Sequence, residues 1–464
     1  MAGTFGSFGI GLSAMRYSQT QMDVAGNNIA NAATEGYVRR RVEAESLGAP
    51  IQPALWSRYD RLGGDGVGVT GITRMVDELA VSRSRREHSA QSFLDTRATS
   101  LARVESGMGE PGPNGVAAAL ADLRAAFDDL ANNPGDQAAR AQVLVKAGIV
   151  ADALKAQAGN VKDELADQGA AILDSVTEIN NLTSDLADVN KAINTATLSQ
   201  VDASTLMDNR EKIALRLAEL TGGTASLRPD GGYDFAVGGV KLVDGQQASV
   251  LSVAGGLDPA TGTPTGGAVT FAVAGAAGTG SPAIASGEVG ARAGLIVGEL
   301  QSHLDGLNGI AESLASALNT AHAAGFDKDG AAGGPLYAFT AGDAASSLSV
   351  AITDPRKIAA SGLGGGPNLD AGNAVVLGDA MTVQEDYRRL ISSFGAAVAS
   401  TTRLATNQQV LTNQVDAARD QTAGVNLDEE MTNMLAAQRG YEAAARVIRT
   451  LDDVLDTLIN RMAR

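Results

Sequence analysis

Gly66-x-Gly68-x-x-Gly71 has the spacing of a dinucleotide-binding turn. That chemistry needs a buried strand before the glycines and a helix N-terminus after them, where a pyrophosphate would sit. Ser57-Arg-Tyr-Asp-Arg61 precedes the string and is no buried strand, so the glycines predict a hairpin turn instead. No Lys directly follows a Gly, which leaves no P-loop. Asp327-Lys-Asp329-Gly330 begins like a calcium loop, but Ala331 and Ala338 stand where further ligands belong, and a tight turn is expected. His88, His303 and His322 lie far apart without a His-Glu-x-x-His pattern and read as surface or satisfied helix positions. Gly-x-Ser-x-Gly is absent, and Asp128-Asp129 and Asp452-Asp453 fall on charged, solvated helix faces. The chain has no Cys, which removes disulfides, thiolate metal sites and Cys nucleophiles. No catalytic, cofactor-binding or metal residue is assigned, and no cofactor is expected.

The bulk balance points the same way. At 464 residues the chain can bury a sizeable core and hold more than one domain. It is 44% hydrophobic but only 4% aromatic, with Trp56 its one tryptophan, so small Ala and Gly side chains carry much of the apolar surface. That suits close helix packing. A net charge of −17 repels nucleic acid and anionic lipid. Arg39-Arg40-Arg41, with Arg83, Arg85 and Arg86, comes nearest to a basic patch but lacks interleaved aromatics; solvated positions on a strand and a helix are expected. No run of eighteen apolar residues occurs, so no membrane insertion is predicted. Met1–Gly9 shows no cleavable signal pattern, and any export must leave the N-terminus in place.

The elements that organise these residues are mostly helical. Phe8, Leu12, Met15, Met22 and Ile29 recur in steps of four and three, a heptad-like seam closed by Asn27, Asn28, Asn31, Thr34 and Gly36. Val38, Val42, Ile51, Val67, Val69 and Ile72 read as short strands of a hairpin between 37 and 73. Helices are predicted from Met75 to Val104, Val116 to Leu130, Asp136 to Thr195 and Asp202 to Leu220. Residues 221–287, with Gly-Gly pairs and alternation in Tyr233-Asp-Phe-Ala-Val, read as a small inserted β domain. One helix from Val289 to Ala323, a Gly-rich irregular or β segment at 325–380, and a helix from Val383 to Thr422 follow. Last comes the cleanest period of the chain: Leu427, Met431, Met434, Gln438, Tyr441, Ala445, Ile448, Asp452, Leu455, Ile459 and Met462. A helix of that length extends about 54 Å and needs a long partner, for which the N-terminal seam is the natural choice. Second stripes, Ile10, Ala14, Tyr17 and Val24 at one end and Val447, Leu451, Val454 and Leu458 at the other, suggest more than one neighbour. Periodicity alone does not separate an intrachain bundle from an assembly surface.

Asn27-Asn-Ile-Ala-Asn-Ala-Ala-Thr-Glu-Gly-Tyr37 resembles the N-terminal signature of the flagellar axial family of rod, hook and hook-associated proteins, as does Gly66-Val-Gly-Val-Thr-Gly-Ile-Thr-Arg74 with Asp77. Asn27, Asn28, Asn31, Gly36 and Tyr37 carry the motif. Val425-Asn-Leu-Asp-Glu-Glu-Met-Thr-Asn-Met-Leu-Ala-Ala-Gln-Arg-Gly-Tyr441, followed by Ala445-Arg-Val-Ile-Arg449, is similar to the family's C-terminal helix. Leu130-Ala-Asn-Asn-Pro134, Asn209-Arg-Glu-Lys-Ile213, Gly287-Glu-Val-Gly290 and Ala317 to Asp327 are similar to its hook-associated branch. The resemblance is loosest over 225–285 and 335–380. The chain is short for the family, and Arg40 stands where many relatives have Gln.

The resemblance implies a mainly α protein with β insertions, its long helical bundle or coiled-coil core drawn from both termini. Residues 1–32 and 426–464 would form the assembly region, disordered in free monomers; 33–220 and 288–425 a rod-like core; 221–287 a small outer domain. It implies a non-catalytic junction subunit, secreted through the flagellum's type III apparatus to the hook–filament junction. Expected partners are the hook protein, a second hook–filament junction protein, further copies in a ring, and a cytoplasmic export chaperone on the C-terminal helix. By position, Leu12, Met15, Met22 and Ile29 would pack with Leu427, Met431, Met434, Tyr441, Ile448, Leu455 and Ile459. The rival readings are a hook or filament subunit of the same family, and an exported adhesin or enzyme on an axial scaffold.

Overall fold

The computed structural model describes residues 2–34, 36–47, 66–366 and 369–461, with side chains from residue 6 to 457 within those spans. Ile51 and Met462 lie outside the described residues, and the side chains of Leu458 and Ile459 outside the described side chains. The architecture is mainly α, with long terminal helices, a five-stranded sheet and, among the described residues, two two-stranded ones.

Helix α1 (Ala2–Ala30) leads into an antiparallel hairpin of β1 (Arg40–Ser46) and β2 (Val67–Arg74). Gly66 precedes β2, while Gly68 and Gly71 lie within it, Gly71 at a bulge opposite Glu43. The glycine string is therefore strand rather than the expected turn. Helix α2 (Glu78–Gly107) starts at Asp77, whose carboxylate accepts the N–H groups of Leu79 and Ala80. Helix α3 (Val116–Asn132) follows, then α4 (Gln137–Leu198), 62 residues long and begun by Asp136 accepting the Ala138 N–H. Helix α5 (Ser204–Thr221) ends at Gly222, a left-handed position (φ 69°) that favours a residue without Cβ.

A five-stranded antiparallel meander comes next, with β3 (Thr224–Leu227), β4 (Tyr233–Val237), β5 (Val240–Asp244), β6 (Gln247–Gly255) and β7 (Thr270–Gly275) in chain order. Tyr233, Phe235 and Val237 alternate inward into the same cluster as Leu154, Ile179 and Leu295. Two asparagines of α4 fasten the sheet to that helix. Asn190 donates to the Tyr233 and Gly245 carbonyls and accepts the Tyr233 N–H, and Asn180 brackets Leu251 in the same way. The insertion is thus a face of the common core.

The single helix expected from Val289 to Ala323 is two, α6 (Gly287–Val297) and α7 (Glu299–Ala324), broken at Gly298. The Gly-rich segment folds as β8 (Tyr337–Ala338), α8 (Ala344–Ser347), β9 (Ser349–Val350) and α9 (Gly372–Asp379). It is pinned to the bundle: Tyr337 donates its hydroxyl to the Ala147 carbonyl, and Asn319 accepts the Leu336 and Tyr337 N–H groups. Asp327 closes the expected tight turn by accepting from Asp329 and Ala331, with Lys357 alongside at 2.9 Å. Helix α10 (Val383–Ala423) packs along α2, and α11 (Leu427–Arg461) returns along α1.

Candidate assembly interface

Helices α1 and α11 run antiparallel, since Gly11 meets Ile448 and Ala444, Ser18 meets Gly440, and Asn28 meets Glu430. Their closest line is made of small residues. Ser18, Ala25, Ala437 and Ala444 are buried, as is Gly11. A Cβ on Gly11 would come within 2.9 Å of the Ile448 side chain, and one on Gly440 within 2.9 Å of the Ser18 hydroxyl. Small side chains let the two backbones approach, and dispersion rather than bulk holds them.

The large residues of the sequence seam flank this line. Leu12, Met15, Met22, Ile29, Met434, Tyr441, Ile448 and Leu455 are half-buried, while Leu427 and Met431 remain 50% and 52% exposed. Phe8, Ile10, Leu435, Val447 and Val454 are exposed too. Folding of one chain leaves a long apolar surface on the pair open.

The end of the pair nearest the core is polar. Asn28 is fully buried and uses every bond its amide offers. It donates to the Arg40 carbonyl and to Glu430, both at 2.9 Å, and accepts the Arg40 N–H at 3.0 Å and the Tyr37 hydroxyl at 2.8 Å. Of the motif residues, Asn28 and Tyr37 thus meet directly. Asn27 and Asn31 instead donate to carbonyls of their own turn. Gly36 has φ 73°, and a Cβ there would strike Lys212. Burial pushes the Tyr37 phenol above its ordinary range. Glu430, itself buried, is held by Arg39 at 2.7 Å, which also pairs with Glu429.

Of the arginines expected to be solvated, Arg41, Arg83 and Arg86 are exposed, but Arg39, Arg40 and Arg85 are not. Arg40 reaches Asp208 and stacks over the Tyr37 ring, Arg74 meets the same Asp208 at 2.8 Å, and buried Arg85 pairs with Glu211. Their partners lie far off in sequence, so no local pattern announced them. Arg85 and Arg210 both lie over the buried Tyr233 ring, whose hydroxyl is within hydrogen-bonding distance of Glu211 and Glu78 and donates its one proton between them. A chain of charge pairs thus links α11, the hairpin, α5 and the sheet.

A groove of about 920 Å³ lies where these parts join, lined by Tyr37, Arg39, Arg85, Lys212 and the α10–α11 connection. Arg39 and Arg85 in its wall are paired with Glu429 and Glu211, and Arg419 with Asp420. Among the described residues no group of three His, Cys, Asp or Glu is placed to hold a metal ion, and no helix is long and apolar enough to cross a membrane.

The pattern of the flagellar hook-associated protein FlgK helical domain matches residues 101–337, more than half of the chain. The ends match flagellar rod proteins, residues 8–37 the flagella basal body rod protein and 419–462 the flagellar basal body rod FlgEFG protein C-terminal region. Flagellar hook-associated protein 1 of Bacillus subtilis (strain 168) is 28% identical, aligned over 100% of this chain and 99% of its own. That of Escherichia coli (strain K12) is 23% identical over 97% and 98%. The solved flagellar hook junction protein FlgK from Burkholderia pseudomallei shares the fold, with a TM-score of 0.64 at 17% identity over 73% of this chain and 99% of that one. The chain belongs to the flagellar hook-associated protein FlgK family, structural proteins of the bacterial flagellum.

Proposed function

We propose that this chain is a non-catalytic junction subunit joining the flagellar hook to the filament through a second junction protein, and that it does so as a ring. The observation that carries the reading is the apolar surface left open on the paired terminal helices: Leu427 and Met431 on one side, Val447 and Val454 further along, Phe8 and Ile10 on α1. Monomers rarely leave so long an apolar strip uncovered. Neighbouring copies supply the cover, and the family to which the chain belongs supplies the setting. The two helices add little to the core's own packing, so their order is completed by assembly, as coupled folding. Leu12, Met15, Met22 and Ile29, with Leu427, Met431, Met434, Tyr441, Ile448, Leu455 and Ile459, form the assembly surface. The subunit leaves the cell through the flagellar export route, where α11, unpaired before assembly, is the segment a cytoplasmic chaperone would cover.

Deletion of residues 427–464 tests this. Cells carrying only the truncated chain are expected to release filament protein into the medium while holding no filaments. Normal filament retention by those cells would overturn the proposal.

A further inference from the structure

The small-residue line between α1 and α11 repeats every seven residues on both helices: Gly11, Ser18 and Ala25 on one, Ala437 and Ala444 on the other. A slide of one repeat, about 10 Å at 1.5 Å per residue, would set Ser18 beside Ala444 and Ala25 beside Ala437. The apolar seam would then be remade almost unchanged. Its packing alone does not choose between registers, much as a uniform heptad seam leaves the alignment of a coiled coil open until a buried polar residue decides it.

We propose that the buried Asn28–Glu430–Arg39 cluster sets the axial register of the terminal helix pair. Asn28 is 0% exposed and Glu430 3% exposed, and both are fully engaged only in the observed alignment. After a slide that places Asn28 beside Ala437, one amide N–H of Asn28 loses its acceptor. Glu430, carried past the end of α1, loses the Asn28 contact. The penalty for stranding a buried polar group applies to every wrong register and to no right one. Stability is secondary here; the cluster discriminates. The inference holds for the folded pair whether or not the ring reading stands, but it gives that ring a fixed height for each subunit. Asn28 and Glu430 are positioning residues in this role.

The absence of cysteine makes the test clean. A Cβ built on Gly440 lies 3.8 Å from the Ser18 Cβ, the separation a disulfide needs. Ser18→Cys with Gly440→Cys therefore reports the observed register. Ser18→Cys with Asn433→Cys or Val447→Cys, one repeat to either side, reports a slide. Oxidant trapping in the dilute full-length chain captures a register even when the pair forms only transiently, and needs no ring. With Asn28 and Glu430 intact, the first pair is expected to close at least tenfold faster than the other two. With Glu430→Ala, and separately with Asn28→Ala, that ratio is expected to fall several-fold. A role limited to holding the helices together would slow all three pairs alike and leave the ratio unchanged. An unchanged ratio in both variants, or no preference with both residues intact, overturns the proposal and leaves the register to the short α10–α11 connection. Normal filament retention by cells lacking residues 427–464, with the ratio falling as expected in the two variants, would sink the assembly reading alone.

Discussion

The terminal pair and the central bundle are built on opposite packing plans. In the bundle, Leu120, Phe127, Leu154, Ile179 and Leu314 are wholly buried, and the bulk of each side chain is spent inside one chain. In the pair the buried line is Gly11, Ser18, Ala25, Ala437 and Ala444, with Val24 the one larger apolar side chain buried among the described residues, and most of the bulk lies outside it on residues such as Leu427, Met431 and Val447. A core that buries its large residues is complete alone. A pair that buries its small ones brings two backbones close and turns its large residues toward whatever comes next.

The contrast breaks most sharply where a large core residue is cut. Phe127→Ala should cost about 3–5 kcal/mol of bundle stability in denaturant unfolding, the usual range for emptying a packed aromatic site. Gly440→Leu should do the reverse. It forces a side chain into the Ser18 contact and prises α1 from α11, so filament retention is lost while bundle stability moves by less than about 0.5 kcal/mol, since the site lies remote from it. A bundle destabilised as much as by Phe127→Ala would show the two regions to be one cooperative unit.

Within the bundle, acid and base act on different histidines. His88 hydrogen-bonds to Glu219 and Asp416, which raises its pKa above the ordinary 6.5. The folded state holds that proton more tightly, so the stabilisation is full below about pH 6.5 and fades as pH climbs through the raised value. His303, tilted against the Phe394 ring without a hydrogen bond, is pulled down to about 4 by burial. Its contribution is full above pH 6.5 and is lost as pH falls toward 4. His322 has the same sign, since its Nδ1 donates to the Gly334 carbonyl and its Nε2 must stay unprotonated to accept the Ala359 N–H. His303→Leu should therefore flatten the acid limb of unfolding midpoint against pH, and His88→Gln the alkaline one. Identical profiles for the two variants would count against these assignments. The smallest effect belongs to Met431→Ala. It should weaken filament retention only slightly and leave bundle unfolding unchanged, whereas Met431→Asp, which sets charge on the same open strip, should weaken retention more.

Helix starts were legible because their signals are local. Asp77 and Asp136 cap the helices they precede, and Gly222 ends α5 within a few residues of its own position. The break at Gly298 was not legible, because a glycine inside an apolar helical period is tolerated until the backbone turns, here to φ −96° and ψ −107°. The pairing of the two ends was also readable, but not its inner line. A search for apolar periodicity weighs Leu12 and Met431 heavily and gives Gly11, Ser18 and Ala444 almost nothing. The partners of Arg39 and Arg40 were beyond reach for a different reason, since Glu430 and Asp208 lie hundreds of residues away or on another element.

Helix α4 has one more consequence. At 62 residues it extends about 93 Å, and it is fastened near both of its own ends: Arg140 donates to the Ile358 carbonyl near one, and Asn190 clasps the sheet near the other. A single unbroken helix therefore carries the sheet and the Ile358 segment on one common spar.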